Sequence, residues 1–461
     1  MRILSILIPT VFLFFLLHLI ATCAQIYTPP DNIALDCGST TSDNSATAAD
    51  GRKWTGDNDS KISVIEDSSG KSVSATANTP SSSVHTVPYL TARISESQFT
   101  YTFPVTAGQK FIRLHFYPAH YQGFDRSKNF FSIKVGPFTL LNNFSASLTA
   151  DYMGEASIIK EFCINLEKNQ SLNVTFTPSM SNSYAFINGI EIVSMPRNLY
   201  YSRLDDQGLP FIGQQAHFHI DNFTALENVH RLNIGGRSIP AMGDTGMYRN
   251  WYDDFFYLVA AGVVPSNTSI KLNYSSIPPY TAPDDVYRTA RSMGSDRKEN
   301  LLYNLTWRLP VDSGFRYLVR LHFCEFDPSV EAVGDRRFRI FIDNKTAEAA
   351  FDVIETAGGK GVPTYKDYLV MIGNNADKRF ALELQETADA EIEKINPGGE
   401  HAYPDIVFPV ARDINVKSET KLDSRDCHGV DHSDSNNVIA VPNLIHDSGS
   451  FVSSDIMSSA I

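Results

Sequence analysis

Two Asp-Thr/Ser-Gly triplets, Asp244-Thr245-Gly246 and Asp312-Ser313-Gly314, resemble the pair of carboxylates that shares one proton in acid-protease chemistry. That chemistry needs each triplet delivered by an apolar strand, and neither follows one. A third copy, Asp447-Ser448-Gly449, sits in a polar stretch. The triplets read as turn and helix-start residues. His217-Phe218-His219 sets two imidazoles on one face of a strand, but zinc needs at least one more donor and none stands at a recognisable spacing. Cys427, His428 and His432 fall in the same polar stretch near the end of the chain. No nucleophile elbow supports Ser-His-Asp catalysis, and no kinase Gly-rich loop, catalytic Asp loop or Asp-Phe-Gly is present. The expectation is a protein that binds, without catalytic residues, metal or cofactor.

Binding chemistry is better represented. Tyr117, His120, Tyr121, Phe124 and Arg126 put aromatic faces and hydrogen-bonding groups in one loop region, as a sugar site requires. Two basic clusters, Arg288-Arg291-Arg297-Lys298 and Arg336-Arg337-Arg339, could hold an acidic polymer. Each feature has a plainer alternative, strand-end packing for the aromatics and a solvated face for the charges. Overall, 39 Lys and Arg against 52 Asp and Glu give a net charge of −13, which excludes a general nucleic-acid binder. Residues 25–200 hold 13 basic and 15 acidic groups, residues 201–410 hold 21 and 29. The second half would attract basic peptides at long range.

These residues must be positioned outside the cell. Arg2, the apolar run Ile3 to Ala21 and Thr22-Cys23-Ala24 form a secretory signal peptide over residues 1–24. No later run reaches the roughly 18–20 apolar residues that span a bilayer. Nine Asn-x-Ser/Thr sequons, at Asn58, Asn143, Asn169, Asn173, Asn222, Asn267, Asn273, Asn304 and Asn344, agree with an exported glycoprotein. After Cys23 is removed with the signal, Cys37, Cys163, Cys324 and Cys427 remain. Four cysteines allow three pairings and are too sparse to build the scaffold, so apolar burial must hold it.

The positioning elements are duplicated. Ile112-Arg113-Leu114-His115-Phe116 recurs as Val319-Arg320-Leu321-His322-Phe323, Thr91-Ala92-Arg93 as Thr289-Ala290-Arg291, and Phe131 to Val135 as Phe338 to Ile342. Three matches in one order at nearly one offset mean tandem domains, over 26–200 and 215–410 with a short linker at 201–214. Period-2 alternation puts Ile112, Leu114 and Phe116 on one strand face and Arg113 and His115 on the other. Further strands are expected at Phe99–Val105, Phe130–Val135, Ile158–Leu166, Leu172–Phe176 and Tyr184–Val193, with a single short helix or helical turn at Gly246–Ala261. Many short strands favour sandwiches or jelly rolls.

Seven collinear stretches carry a family resemblance: PYLTARI (88–94), FTYTFPV (99–105), FSIKVGPFTLLNNFSAS (131–147), YAFINGIEI (184–192), DTGMYRNWYDD (244–254), VYRTARSMG (286–294) and YLVRLHFCE (317–325). The chain resembles the extracellular part of FERONIA/THESEUS-type plant receptor kinases. That resemblance implies an all-β architecture of two tandem malectin-like, jelly-roll-like β-sandwich domains. It implies partners too: a basic signalling peptide of the rapid alkalinization factor type and a GPI-anchored co-receptor, with pectin as another ligand class. It departs from the family at its end. The Asn-Gly-x-Glu-Ile strand that closes the first domain (188–192) has no obvious counterpart, the matching region reading Tyr403-Pro404-Asp405-Ile406-Val407-Phe408-Pro409. Because proline removes a ladder donor, a central strand is not expected there and the second domain is expected to open first. Residues 411–461 read as a polar, disordered tail. The reading is an extracellular recognition module, secreted or at the cell surface, for a basic peptide; the alternative is a lectin for cell-wall carbohydrate.

Overall fold

The computed structural model describes residues 26–39, 46–58, 63–67, 69–78, 81–168, 170–203, 205–259, 263–294, 300–373, 379–386, 407–408 and 412–416. The signal peptide expected at 1–24 lies outside them, as do Arg297, Lys298, Asn169 and Cys427. Residues Met1–Glu419 form one compact unit, and the second, Thr420–Ile461, lies wholly outside the described residues.

In the first half, alternating sequences pair into two facing sheets. The strand Gly108–Phe116 lies between Ile158–Leu166 and Gly189–Ser194, and the latter pairs with Asn32–Asp36. The opposing sheet runs Phe138–Phe144, Phe131–Val135, Gln170–Pro178, Phe99–Val105 and Val64–Glu66. The second half repeats the plan: Arg316–Phe323 pairs with Thr364–Met371, and Leu305–Pro310, Arg379–Glu386, Phe338–Ile342 and Lys345–Phe351 make the opposing sheet. Ile112, Leu114, Phe116, Val319, Leu321 and Phe323 are all fully buried in their two cores. The expected strands Phe99–Val105 and Ile158–Leu166 form with the expected bounds. Tyr184–Val193 is divided into Ala185–Ile187 and Gly189–Ser194, because the chain changes sheets at Asn188.

One expectation is narrowed and two need correction. Of the short helix or helical turn expected at Gly246–Ala261, the described residues hold only the turn. Gly246 (φ +98°) and Tyr248 (φ +58°) are left-handed, so the helical repeat cannot start, and only a 3₁₀ turn, Phe255–Tyr257, forms. The expected linker, 201–214, is paired among its described residues, and 226–228 of the expected second domain joins the first. Leu209–Pro210 pairs with His217–Phe218, Ile212 N donates to Leu369 O at 2.8 Å, and Leu226–Asn228 adds a strand to the first domain beside Ile158–Leu166. The second domain also has its closing strand. Val407–Phe408 pairs with Thr289–Ser292 as Ala185–Ile187 pairs with Thr91–Ser95, and Arg412–Val416 takes the place beside Arg316–Phe323 that Gly189–Ser194 takes beside Gly108–Phe116. Pro404 and Pro409 flank these short strands rather than interrupt them, and the domain runs past the expected boundary at 410.

Phe323 packs against Phe351 and Phe338, ring centroids 4.6 and 6.0 Å away. Phe323→Ala should therefore destabilise the protein by roughly 3–5 kcal/mol. Denaturant unfolding checks this, and a loss within about 0.5 kcal/mol, as for an exposed residue, contradicts the packing.

Candidate functional site

Both halves carry one buried polar frame. In the first, Trp54 stands edge-on to His115 with centroids 5.1 Å apart, and His115 Nδ1 meets the Tyr89 hydroxyl at 2.9 Å. Trp251, His322 and Tyr287 repeat this at 5.7 and 2.8 Å. Asp57, three residues after Trp54, accepts two bonds from Arg93 (3.1 and 3.0 Å) and one from the Tyr101 hydroxyl (2.6 Å). Asp254, three residues after Trp251, accepts from Arg291 and from the Trp307 indole at 2.8 Å. In both copies the alanine carbonyl of Thr-Ala-Arg abuts a glycine. A Cβ on Gly38 would lie 2.3 Å from Ala92 O, and one on Gly235 1.8 Å from Ala290 O. The Trp-x-x-Asp pair escaped sequence reasoning because its flanks diverge. The signal that could have found it is the 197-residue separation of Trp54 and Trp251, close to the 198 that separates Thr91 from Thr289.

The other faces of the two repeated strands meet. Phe111 and Leu318, equivalent in the duplication, join one apolar cluster with Val193, Tyr200, Met247 and Leu369. Arg113 and His115 point away from their own core as expected, yet both are buried. Arg113 Nε donates to Glu161 at 2.5 Å, Nη1 to Glu191 at 3.1 Å and Nη2 to the Met247 carbonyl of the second domain at 2.9 Å. Glu161 also accepts from Arg231 Nη2 at 2.6 Å, and Arg52 donates to Glu191. Arg249 is fully buried and bonds Asp244 through Nε and Nη2, both 2.9 Å, with Nη1 on the Tyr200 hydroxyl at 3.1 Å. Burial opposes ionisation of Glu161, but Arg231 and Arg113 outweigh it and hold the carboxyl at about 2. The same contest, with Arg52, His115 and Arg113, holds Glu191 below the usual carboxylate range.

A profile of the malectin-like domain matches residues 35–398. The chain belongs to the malectin-like family. Receptor-like protein kinase FERONIA of Arabidopsis thaliana is 48% identical over 353 residues, which are 75% of this chain and 38% of FERONIA. ANXUR1 of the same plant is 37% identical over 77% of this chain and 41% of its own length. The chain thus spans about two fifths of the length of these curated relatives. The crystal structure of plant receptor-like kinase FER superimposes with a TM-score of 0.73 at 42% identity, covering 84% of this chain and 97% of that one. A crystal structure of plant peptide RALF23 in complex with FER and LLG2 superimposes with a TM-score of 0.72 at 42% identity, covering 85% and 97%. The two sandwiches are therefore tandem malectin-like domains of a receptor-kinase ectodomain type.

Within these malectin-like domains the expected contact residues are dispersed. Tyr117 and Tyr121 are buried, the Tyr121 hydroxyl donating to Tyr117 O at 2.9 Å and accepting from Asn188 Nδ2 at 2.8 Å. Phe124 packs on Tyr184, Arg126 forks onto Asp151 at 2.9 and 2.6 Å, and His120 is exposed. The aromatic side chains of Tyr117, Tyr121 and Phe124 pack with the first core. Arg291 is bound to Asp254 and Arg336 to Glu325 and Asp327, all buried. Arg288 pairs with Asp284, Arg337 is half-buried, and Arg339 is exposed. Asn58, Asn143, Asn173, Asn222, Asn267, Asn273 and Asn344 are exposed, whereas half-buried Asn304 donates from Nδ2 to Glu383 at 2.7 Å. Asp244 is committed to Arg249, far from any dyad role. Among the described residues no His/Cys/Asp/Glu group is arranged for a metal, and no helix is long and apolar enough to cross a membrane.

The surface that stands out is an apolar ridge on the second domain. Phe255 and Phe256 are 68% and 87% exposed and stacked edge to face with centroids 5.6 Å apart; Tyr252 and Val259 are exposed beside them in sequence. The ridge is held from below, since Val259 N donates to Thr306 O at 3.0 Å and neighbouring Asp254 is anchored by Arg291. Its rings are displayed by the 3₁₀ turn Phe255–Tyr257, within the stretch read from the sequence as a short helix or helical turn.

One position differs in chemistry between the copies. Thr91 donates to Asp36 at 3.2 Å, and Thr289 donates to the equivalent Asn233 at 2.9 Å. Burial, aided by the nearby Asp57 charge, pushes the Asp36 carboxyl up to about 7. The folded state therefore keeps a proton that the unfolded chain releases near pH 4, so this stabilisation is full below about pH 4 and is lost as pH rises towards about 7. Asp36→Asn should flatten that loss, worth up to roughly 4 kcal/mol. Comparing unfolding of the two proteins across this window checks it, and a constant difference between them contradicts it.

Proposed function

We propose that this chain is an extracellular recognition module that binds a basic signalling peptide of the rapid alkalinization factor type together with a GPI-anchored co-receptor, in cell-wall or growth signalling. The observation that carries this reading is its likeness to FER over nearly the whole of that ectodomain, including the FER that was crystallised with RALF23 and LLG2. The ridge at Phe255 and Phe256 supports it. Large exposed aromatics on a rigid turn are anchors that bury well on binding, and the surrounding domain is acidic, which suits a basic partner. Action by binding rather than chemistry fits a molecule whose buried Glu161, Asp244 and Asp254 carboxylates are held by arginines. Export and glycosylation at the exposed sequons complete the reading.

The alternative, a pectin lectin, draws on exposed Arg339 and on Arg288, but Arg291 and Arg336 of the same clusters are buried in ion pairs. Calorimetric titration of the secreted protein with a synthetic basic peptide and co-receptor, then with oligogalacturonide, separates the two. The expected result is saturable peptide binding without an oligogalacturonide signal. Phe255→Ala/Phe256→Ala should weaken it at least about tenfold while stability stays within about 0.5 kcal/mol, as for exposed sites. Unchanged peptide affinity removes the ridge from the interface, and an oligogalacturonide signal alone favours the lectin.

A further inference from the structure

Ahead of the strand Asn32–Asp36, the chain reaches across to the second domain. Tyr27 donates its backbone N–H to Thr245 O at 3.0 Å. Its carbonyl lies against Gly246, where a Cβ would come within 1.9 Å of it, and Gly246 takes the left-handed backbone (φ +98°) that suits glycine. The half-buried Tyr27 ring meets that of Tyr280 at 5.9 Å between centroids and packs on the apolar cluster shared by the two domains. The walls of this seat are bonded to each other, since Thr245 Oγ1 and Arg249 Nη2 donate to the Tyr280 carbonyl at 2.8 and 3.1 Å.

The first domain holds the other end of the segment. Asp31 accepts from Thr106 Oγ1 at 2.6 Å and pairs with Lys110 Nζ at 2.9 Å, and its carbonyl accepts from Ser194 N at 2.9 Å. Asn32 Nδ2 donates to the Tyr248 hydroxyl at 3.0 Å. Tyr248 has a left-handed φ of +58°, which a bulky residue keeps only where its surroundings enforce it, and the Arg52 guanidinium lies 4.0 Å from its ring centroid. Between the two anchors Pro29 and Pro30 restrict the backbone, so little entropy is lost in spanning the gap. The crossing is reciprocal: Leu226–Asn228, which follows 29–31 at the separation that relates Asn233 to Asp36, pairs with Ile158–Leu166 of the first domain.

We propose that Thr245, Gly246, Tyr248 and Tyr280 form a seat for an extended aromatic–proline peptide, filled in cis by residues 26–32, which strap the second domain to the first. The Asp244-Thr245-Gly246 triplet then has a use: Asp244 fixes Arg249, Thr245 supplies the acceptor and Gly246 the clearance for the strap's carbonyl.

The test is hydrogen exchange of the full secreted chain against a variant lacking residues 26–30, each with and without a capped synthetic peptide of those residues at millimolar concentration. Deletion should speed exchange over 244–249 and 278–282 at least about tenfold, while the core strands around Ile133 and Ile340 stay protected. The peptide should restore protection in the variant with a saturating dependence and leave the wild type, whose seat is filled, unmoved. The same peptide carrying Tyr27→Ala should restore none. If the shortened chain is not secreted, Tyr27→Ala in the full chain replaces it and should speed exchange over the same segments, with Ile26→Ala, at an exposed site, as the unchanged control. Unchanged exchange over 244–249, or faster exchange spread evenly over both domains, overturns the strap. A shortened chain that the peptide does not protect overturns the seat.

Discussion

Arg113 cannot be removed from water unless both domains are present. Its guanidinium spans Glu161 and Glu191 on the first domain and the Met247 carbonyl on the second, and Arg231 reaches back to the same Glu161. Taking such charges from water costs several kcal/mol per ion, recovered only with full hydrogen bonding. Two of these four bonds lie within the first domain and two cross to the second, so neither sandwich alone can satisfy this face. The strands Gly108–Phe116 and Arg316–Phe323 are thus buried on both sides, and the connecting chain is woven into the sheets of both domains.

This arrangement explains which parts of the molecule are available for recognition. The repeated Trp, His, Tyr, Arg and Asp residues are spent on internal frames, and Arg291 and Arg336 of the cationic clusters are neutralised by buried acids. What remains for a partner is where the copies diverge. The helix Ala146–Met153 of the first domain exposes Leu148, Tyr152 and Met153, while its counterpart Val353–Ala357 exposes Glu355 and Thr356. The Phe255–Phe256 ridge follows directly on the Asp254 anchor, so a frame repeated in both domains supports an exposed aromatic pair. A rigid display of this kind lowers the ordering cost of binding.

Much of the fold was legible because period-2 alternation and tandem repetition are local signals. Ile112, Leu114 and Phe116 announced their core, and the Thr-Ala-Arg and Arg-Leu-His-Phe repeats announced the second domain. Alternation says that Arg113 and His115 face the other way, but not what covers them; that depends on residues 26 to 134 positions away. The same blindness made Arg291 and Arg336 look like surface charge and Tyr117 and Tyr121 look like a sugar platform. The closing strand at Arg412–Val416 was hidden because its register, not its sequence, repeats that of Gly189–Ser194. The ridge was missed because the sequence offered a short helix or helical turn there without saying which of its aromatics would face solvent; the left-handed Gly246 and Tyr248 leave only the turn.

The central claim is that the buried arginine lattice makes two sandwiches one cooperative body. Scanning calorimetry of the intact secreted protein tests it most directly. The account predicts a single transition whose calorimetric and van't Hoff enthalpies agree, and which splits in two when Glu161 is replaced by Gln. Two resolved transitions in the wild type, each with the enthalpy of one domain, would contradict it.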